Sequence, residues 1–420
     1  MRAVHVLRKL DPNEWGGTES ALHRLFDGLR EQGVTSVVYC PQLESESQTD
    51  PLADSGYEVQ RFKAFVPVWG ISEERRRQLV AVGGNLMSFD LVASLLFEQN
   101  CSVIHSHALG RLGAISRAFA SQRKVPFVLT IHGGVLDLPE KVKRTFNAPL
   151  SHGWEWGKLF GFLFQSHRLL RDADAILTCN PREATLLKDK LPDKKIVVQP
   201  HGVDMAVYAR DCRAEALAAF PQIRGRKVLL SLGRIDPVKN QSWLLEQAPE
   251  ILRNHEDALL VLAGPCTDAP YGQAIERQRQ ELGLNGRLLM TGGLPSQDPR
   301  LLGLLQQADV LILPSLSETF GLVLLEAWAA GTTVLSSRTS GASALVEDGY
   351  NGRLFDLERP EAFHRALAEI LRAPQRAKEM AARGAEKVRR DYSLASVASR
   401  MKSLYEQLIE EKHALRNSAR

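Results

Sequence analysis

The chain has 420 residues, more than one hydrophobic core usually organises, so two domains are expected. A composition that is 44% hydrophobic and 24% charged excludes a disordered chain. Fifty-three basic against 49 acidic residues leave a net charge of +4, too small a surplus to mark a nucleic-acid binder by itself.

Val4 to Leu7 reads as a first strand, broken off by Arg8 and Lys9. The segment Met1 to Leu10 lacks the apolar core and cleavage site of a secretory signal. No later stretch approaches the roughly 18 apolar residues of a membrane span. A cytoplasmic location is therefore expected, with peripheral contact at the inner face of the plasma membrane left open. The glycines Gly16 and Gly17 punctuate the loop after the strand, and Thr18 to Gln32 has the stripe of an amphipathic helix, with Thr18 as its expected cap. Ser36 to Tyr39, Val103 to His105, Phe127 to Ile131, Ala175 to Thr178 and Ile196 to Val198 read as further strands. The polar run Glu44 to Asp54 reads as a surface loop. Asn147 to Gln165 carries Trp154, Trp156, Phe160, Phe162 and Phe164 among glycines. It reads as a core helix, an apolar acceptor groove or a surface that rests on a membrane.

A turn-like interval around Tyr208 to Arg226 separates this series from a second one. There Val228 to Ser231, Leu259 to Ala263, Leu288 to Thr291, Val310 to Leu313 and Thr333 to Leu335 read as buried strands. Helices fit at Asn240 to Arg253, Tyr271 to Leu282, Pro299 to Gln307 and Leu322 to Ala329, and Pro360 to Ala419 is almost continuously helical. Alternation of this kind predicts two open α/β domains with parallel sheets. The five cysteines Cys40, Cys101, Cys179, Cys212 and Cys266 are scattered and form no CxxC pair, which predicts free thiols.

Loops at the C-terminal ends of parallel strands bind ligands in such folds, so the chemistry is sought there. Glu318-Thr319-Phe320-Gly321-Leu322 follows the strand ending at Leu313 and opens a helix that contains Glu326. Backbone N–H groups at that helix start suit phosphate oxygens, and a carboxylate among apolar neighbours needs a partner such as a sugar hydroxyl. Gly233 and Arg234 follow another strand, with Lys239 five residues beyond Arg234. Gly233 permits close backbone approach, Arg234 can fork onto phosphate, and Lys239 adds a point charge. In the first half, His132 ends a strand ahead of Gly133 and Gly134, and His107 lies just past another in His105-Ser106-His107. His105, His107 and His132 lack the spacing and the Asp or Cys partner of a metal site. The loop Trp15-Gly16-Gly17 lacks the full GxGxxG fingerprint of a nicotinamide site.

Taken together these motifs resemble the retaining glycosyltransferases of family 4, which have the GT-B fold. Glu318 to Glu326 matches the family's E-x7-E motif; Gly233, Arg234 and Lys239 match its G-R-x(4)-K segment. Trp15 to Gly17 match its glycine loop, His132 the histidine after its T-x-H strand, and His201 to Asp204 its N-G-V-D segment with His in place of Asn. The resemblance implies two Rossmann-like domains facing across a cleft: an acceptor-binding domain at 1–208, a donor-binding domain at 209–388, and a helix at 389–420 that crosses back to the first. It implies that Glu318 contacts donor-sugar hydroxyls and Glu326 the ribose. Arg234 and Lys239 would neutralise the diphosphate, and His132 would sit by the sugar. Gly16 and Gly17 would close over the phosphates, while Thr319, Phe320, Gly321 and Leu322 line the donor. His107, Trp154 and Trp156 are candidates for the acceptor side. No obligatory metal is implied. A UDP-sugar is the expected donor, with GDP-mannose next, and the acceptor is a saccharide, a lipid-linked intermediate or a small metabolite. Arg75 to Arg77 either contact that acceptor or form a solvated helix face. A nucleotide-sugar epimerase or hydrolase of the same fold, or a non-catalytic module that binds nucleotide sugars, are the alternatives. A phosphorylase lacks support, since no motif marks a lysine for pyridoxal phosphate.

Overall fold

The computed structural model describes residues 1–10, 16–42, 50, 52–53, 55–72, 76, 86–133, 154–155 and 164–418. It divides into two compact units, Met1–Gly202 with Leu394–Arg420, and Val203–Ser393.

In the first unit the strands are β1 (Arg2–Val6), β2 (Thr35–Pro41), β3 (Glu58–Phe62), β4 (Val68–Trp69), β5 (Val103–Ser106), β6 (Phe127–Ile131), β7 (Trp154–Glu155), β8 (Ala175–Thr178) and β9 (Ile196–Val198). Seven of them form a sheet in the order β3-β2-β1-β5-β6-β8-β9, and every neighbouring pair in it is parallel. The sheet is apolar on both faces because helices cover both. Val4, Val6, Ile104, Phe127, Leu129 and Ile176 pack with Leu91, Leu95, Leu112 and Phe119 from helices Phe89–Phe97 and Gly110–Arg123. Ala3, Val38, Val103, Val128 and Leu177 face the opposite way, onto Leu22, Phe26, Leu29, Val397, Met401 and Tyr405. Those residues belong to helix Gly17–Glu31 and to the last helix, Leu394–Ser418, which is thus part of this unit's core. β4 and β7 pair antiparallel as a separate ribbon, so Trp154 lies on a strand, opposite Trp69. Trp15, Arg75, Arg77, Gly134 and Trp156 lie outside the described residues, as does most of 147–163.

The second unit holds β10 (Lys227–Leu232), β11 (Ala258–Ala263), β12 (Leu288–Gly292), β13 (Val310–Leu313), β14 (Val334–Ser337) and β15 (Arg353–Phe355). Their order is β12-β11-β10-β13-β14-β15, all parallel. Read from β10 this is 3-2-1-4-5-6, the doubly wound arrangement whose direction of winding reverses between the first and fourth strands. Leu229 sits opposite Val310 and Leu230 opposite Leu311, so β10 and β13 end side by side at that reversal.

Several elements depart from the pattern read in the sequence. Helix Gly17–Glu31 starts one residue before Thr18, with Gly16 at the cap; the Glu19 carboxylate accepts from the Gly16 N–H at 3.1 Å. The interval 208–226 contains helix Arg213–Ala219, whose Ala216 is fully buried. The C-terminal helical run breaks into Pro360–Arg372, Pro374–Lys387, a π turn at Val388–Tyr392, and Leu394–Ser418. Pro374 supplies one break, since it cannot continue the preceding helix. All five cysteines are free, and Cys266 is exposed.

Helices Arg213–Ala219 and Pro299–Gln307 cross at Gly303, where an added methyl would overlap the Cys212 carbonyl oxygen and lie 2.9 Å from the Ala216 methyl. Gly303→Ala gains about 1 kcal/mol of helix propensity but meets backbone that cannot rotate away. The variant is expected to lose about 1–3 kcal/mol net, read as a lower urea midpoint at unchanged slope.

Candidate functional site

Gly233 leaves β10 at φ +150°, a conformation that favours glycine, and the Lys239 side chain passes beside it: an added Cβ would lie 3.6 Å from Lys239 Cε. The turn between them is shaped by Asp236, whose Oδ1 accepts from the N–H groups of Val238 at 2.9 Å and Lys239 at 3.0 Å. Asp236 Oδ2 pairs with Arg234 Nη2 at 3.2 Å. Two bonds then tie this loop to the one after β13. The Leu316 N–H donates to Val238 O at 2.8 Å, and the Asn240 side-chain amide donates to Pro314 O at 3.1 Å.

On the β13 loop, Glu318 is fixed through its backbone. Its carbonyl accepts from the Gly341 N–H at 2.8 Å, and the approach is tight: a Cβ on Gly341 would lie 2.5 Å from that oxygen. Gly321 then turns the chain at φ +87° into helix Leu322–Ala329. These constraints deliver Lys239 Nζ to Glu318 Oε2 at 2.6 Å, with both side chains largely shielded, at 20% and 15% exposure. The structure therefore brings together Gly233, Lys239 and Glu318. Phe320 is buried beside them in sequence, with its ring 6.1 Å from that of Tyr392, and Thr319, Leu322 and Glu326 are partly exposed. Arg234 points largely to solvent, 56% exposed, and is held by Asp236.

Asp236 was not singled out from sequence. Its signal was present, because an Asp two and three residues before the N–H groups it accepts from is the pattern of an Asx turn.

The first unit gathers imidazoles at the same edge of its own sheet. His5 on β1 sits in register with His105 on β5, and the His107 N–H donates to Val6 O at 2.8 Å. His5 Nδ1 lies 3.1 Å from His107 Nε2, and His107 Nδ1 lies 2.8 Å from His132 Nε2. His201 stacks on His132 with centroids 5.8 Å apart and planes 13° from parallel. Ring nitrogens of His5, His105 and His107 all lie within 4.8 Å of one another. His105, however, commits both of its nitrogens, to Tyr405 Oη and Thr130 Oγ1, each at 2.6 Å, and His5 and His107 bond each other. Gly16 caps the neighbouring helix and Gly17 opens it, with no described atom within 4 Å of a Cβ added at Gly17.

Burial holds these rings neutral. It pushes His5 and His132 down to about 3, and His105 and His107 well below the ordinary histidine value; burial and then the charge on Arg24 take His201 to about 4. An unfolded histidine titrates near 6.5, so below that pH the unfolded chain takes up protons that the folded chain refuses. Stability is thus fully present above pH 6.5 and falls with acidification towards about pH 3, by about 1.4 kcal/mol per pH unit for each fully neutral ring. Urea midpoints should be flat from pH 8 to 7 and drop steeply from 6.5 to 5, with the drop reduced in His5→Gln.

Among the described residues, no helix is long and apolar enough to cross a membrane. Residues 15–207 match the model of Glycosyltransferase Family 4, and residues 214–387 that of Glycosyl transferases group 1. A protein of Saccharomonospora viridis named D-inositol 3-phosphate glycosyltransferase is 30% identical over 72% of this chain and 69% of its own length. One of the same name from Segniliparus rotundus is 32% identical over 46% of this chain, a match that spans 42% of that protein. Among solved structures, Anabaena Alr3699/HepE in complex with UDP superimposes with a TM-score of 0.72 at 16% identity, covering 97% of this chain and 100% of that one. The chain belongs to glycosyltransferase family 4 and is a glycosyltransferase of the GT-B fold.

Proposed function

We propose that the protein is a retaining glycosyltransferase that takes a sugar from a UDP-sugar and joins it to an acceptor hydroxyl. The observation that carries this reading is the Lys239–Glu318 pair, set between adjacent loops at the winding reversal of the second unit. A cation and a carboxylate held side by side meet the two needs of a nucleotide-sugar donor, negative diphosphate and hydroxyl-rich sugar. Each charge satisfies the other. When donor binds, Lys239 turns to the diphosphate and Glu318 accepts from sugar hydroxyls. Arg234, exposed and paired with Asp236, can leave that carboxylate for a phosphate oxygen. Glu326, one turn along the helix, takes the ribose. UDP is favoured over GDP because the Anabaena relative of this fold was solved with UDP.

Transfer then proceeds on one face of the sugar. The bond from the anomeric carbon to the diphosphate oxygen breaks as the acceptor oxygen forms its bond from the same side. The departing diphosphate oxygen takes the acceptor proton, so charge and protons balance without a covalent enzyme intermediate. Fixed positive charge on Lys239 and Arg234 stabilises the leaving diphosphate as its charge grows. The name shared by the curated relatives supports a small phosphorylated polyol as the first acceptor to try.

The reading is tested by thermal shift and product analysis. Donor at 100 times Kd should stabilise the protein by about 2.7 kcal/mol, with UDP-sugars effective at lower concentration than GDP-mannose. Release of sugar that needs no acceptor would instead indicate an epimerase or hydrolase. Binding without any product would indicate a binding module. In Lys239→Ala, turnover at saturating donor should fall by about 10²-fold or more while the fold, read by circular dichroism, is unchanged. Near-normal turnover in that variant would refute the role of Lys239.

A further inference from the structure

His5, His107 and His132 make a continuous hydrogen-bonded row of imidazoles across three neighbouring strand ends, at 3.1 and 2.8 Å. His5 is fully buried and His107 is 7% exposed. The two outer nitrogens, His5 Nε2 and His132 Nδ1, have no hydrogen-bond partner among the described residues. Burial keeps all three rings neutral at pH 7, so each carries one N–H and one lone pair.

That count fixes how the protons are arranged. Each of the two contacts needs one N–H facing one lone pair. If His107 donates from Nδ1 to His132, its Nε2 must accept from His5 Nδ1, and His132 then carries its proton on Nδ1. If His107 instead donates from Nε2 to His5, its Nδ1 accepts from His132 Nε2, and His132 Nδ1 is a bare lone pair. All three rings therefore share one tautomer. Passing from one arrangement to the other needs a proton to leave one end of the row and another to enter at the far end. Both ends, His5 Nε2 and His132 Nδ1, are buried, so neither proton step is free to occur. His105 takes no part, because Tyr405 and Thr130 occupy both of its nitrogens.

We propose that His107 and His5 are positioning residues: through this row they lock the tautomer of His132, and so decide whether its buried, unpartnered Nδ1 presents an N–H or a lone pair to a hydroxyl of the acceptor. The identity of that hydroxyl rests on the sugar-transfer reading above; the locked row does not. A fixed hydrogen-bonding polarity at one ring nitrogen selects for hydroxyl orientation, since a misdirected N–H or lone pair leaves a buried polar group unmet. His5 would act on the reaction from two rings away without touching a ligand.

Long-range proton–nitrogen correlation spectra of the full chain with 15N-labelled histidine read each ring's tautomer directly. The expected result is one tautomer common to His5, His107 and His132; a mixed set among the three overturns the proposal. In His5→Phe the row loses the ring that pairs with His107 Nε2, so the His132 signals should move to a mixture of tautomers. Transfer kcat should fall about tenfold, with donor KM and UDP affinity unchanged within about twofold. His107→Phe should lower kcat further, and His107→Gln, which keeps one donor and one acceptor, should restore part of it. If His5→Phe folds poorly, His5→Gln carries the same measurements. Unchanged His132 signals and unchanged kcat in a folded His5 variant overturn the proposal even when the wild type is active. A wild type that transfers no sugar overturns the functional reading instead, and the spectra still decide whether the row is locked.

Discussion

The contact between Lys239 and Glu318 joins the two loops on which the candidate site of the second unit depends. An ion pair of this exposure adds little to stability, since exposed pairs contribute about 0–1 kcal/mol and more buried ones must repay desolvation. Yet the surrounding backbone is committed to it. Gly233 is held at positive φ beside the lysine stem, Asp236 ties down the turn between them, and Gly341 gives up its side chain so that the Glu318 backbone can approach. Such commitment is hard to explain by stability and straightforward to explain by position. Charges that are already oriented and partly desolvated lose little freedom when a ligand replaces one of them, and preorganisation of that kind favours binding. The pairing also keeps either charge from being stranded, since an unpaired one would be the costly state.

The sheet order explains why those two loops meet at all. Residues 233–240 and 314–321 are far apart in sequence, and only the pairing of β10 with β13 makes them neighbours. The first unit repeats the device: β1 pairs with β5, and His5, His105 and His107 collect where its winding reverses. In each unit the chemistry follows from a topological position available to any doubly wound sheet, filled by the residues that happen to follow those strands.

That division accounts for what could be read in advance. Val310–Leu313, Pro299–Gln307 and Leu322–Ala329 were visible to the residue, because buried parallel strands are unbroken apolar runs and helix starts are marked by Pro and Gly. Lys239 and Glu318 were visible as charges just past such strands. β3 was not, because it is an edge strand: Glu58 and Gln60 alternate with half-buried residues, and Glu58 is there to pair with Arg2 at 2.7 Å. Arg234 was expected to neutralise the diphosphate with Lys239; its pairing with Asp236 is a side-chain contact that spacing does not report. His5 was invisible as a functional residue. It reads as one polar residue in an apolar strand, and its significance arises only when the register of β1 and β5 brings it to His107.

The two units also solve different electrostatic problems at equivalent places. On the reading proposed above a diphosphate demands charge, and Lys239 of the second unit, already paired with Glu318, would supply it. A desolvated strand end that must offer both a donor and an acceptor demands the opposite, a polar group that stays neutral. Holding a lysine uncharged at pH 7 costs about 4.6 kcal/mol from its ordinary pKa, whereas a histidine gives up its charge for about 0.2 kcal/mol. That gap is why several buried imidazoles can crowd together where a single buried amine would be expelled or would titrate. It also sets the limit of the arrangement: the same small cost becomes large a unit or two below pH 6.5, so a neutral row of this kind takes least from stability near neutrality.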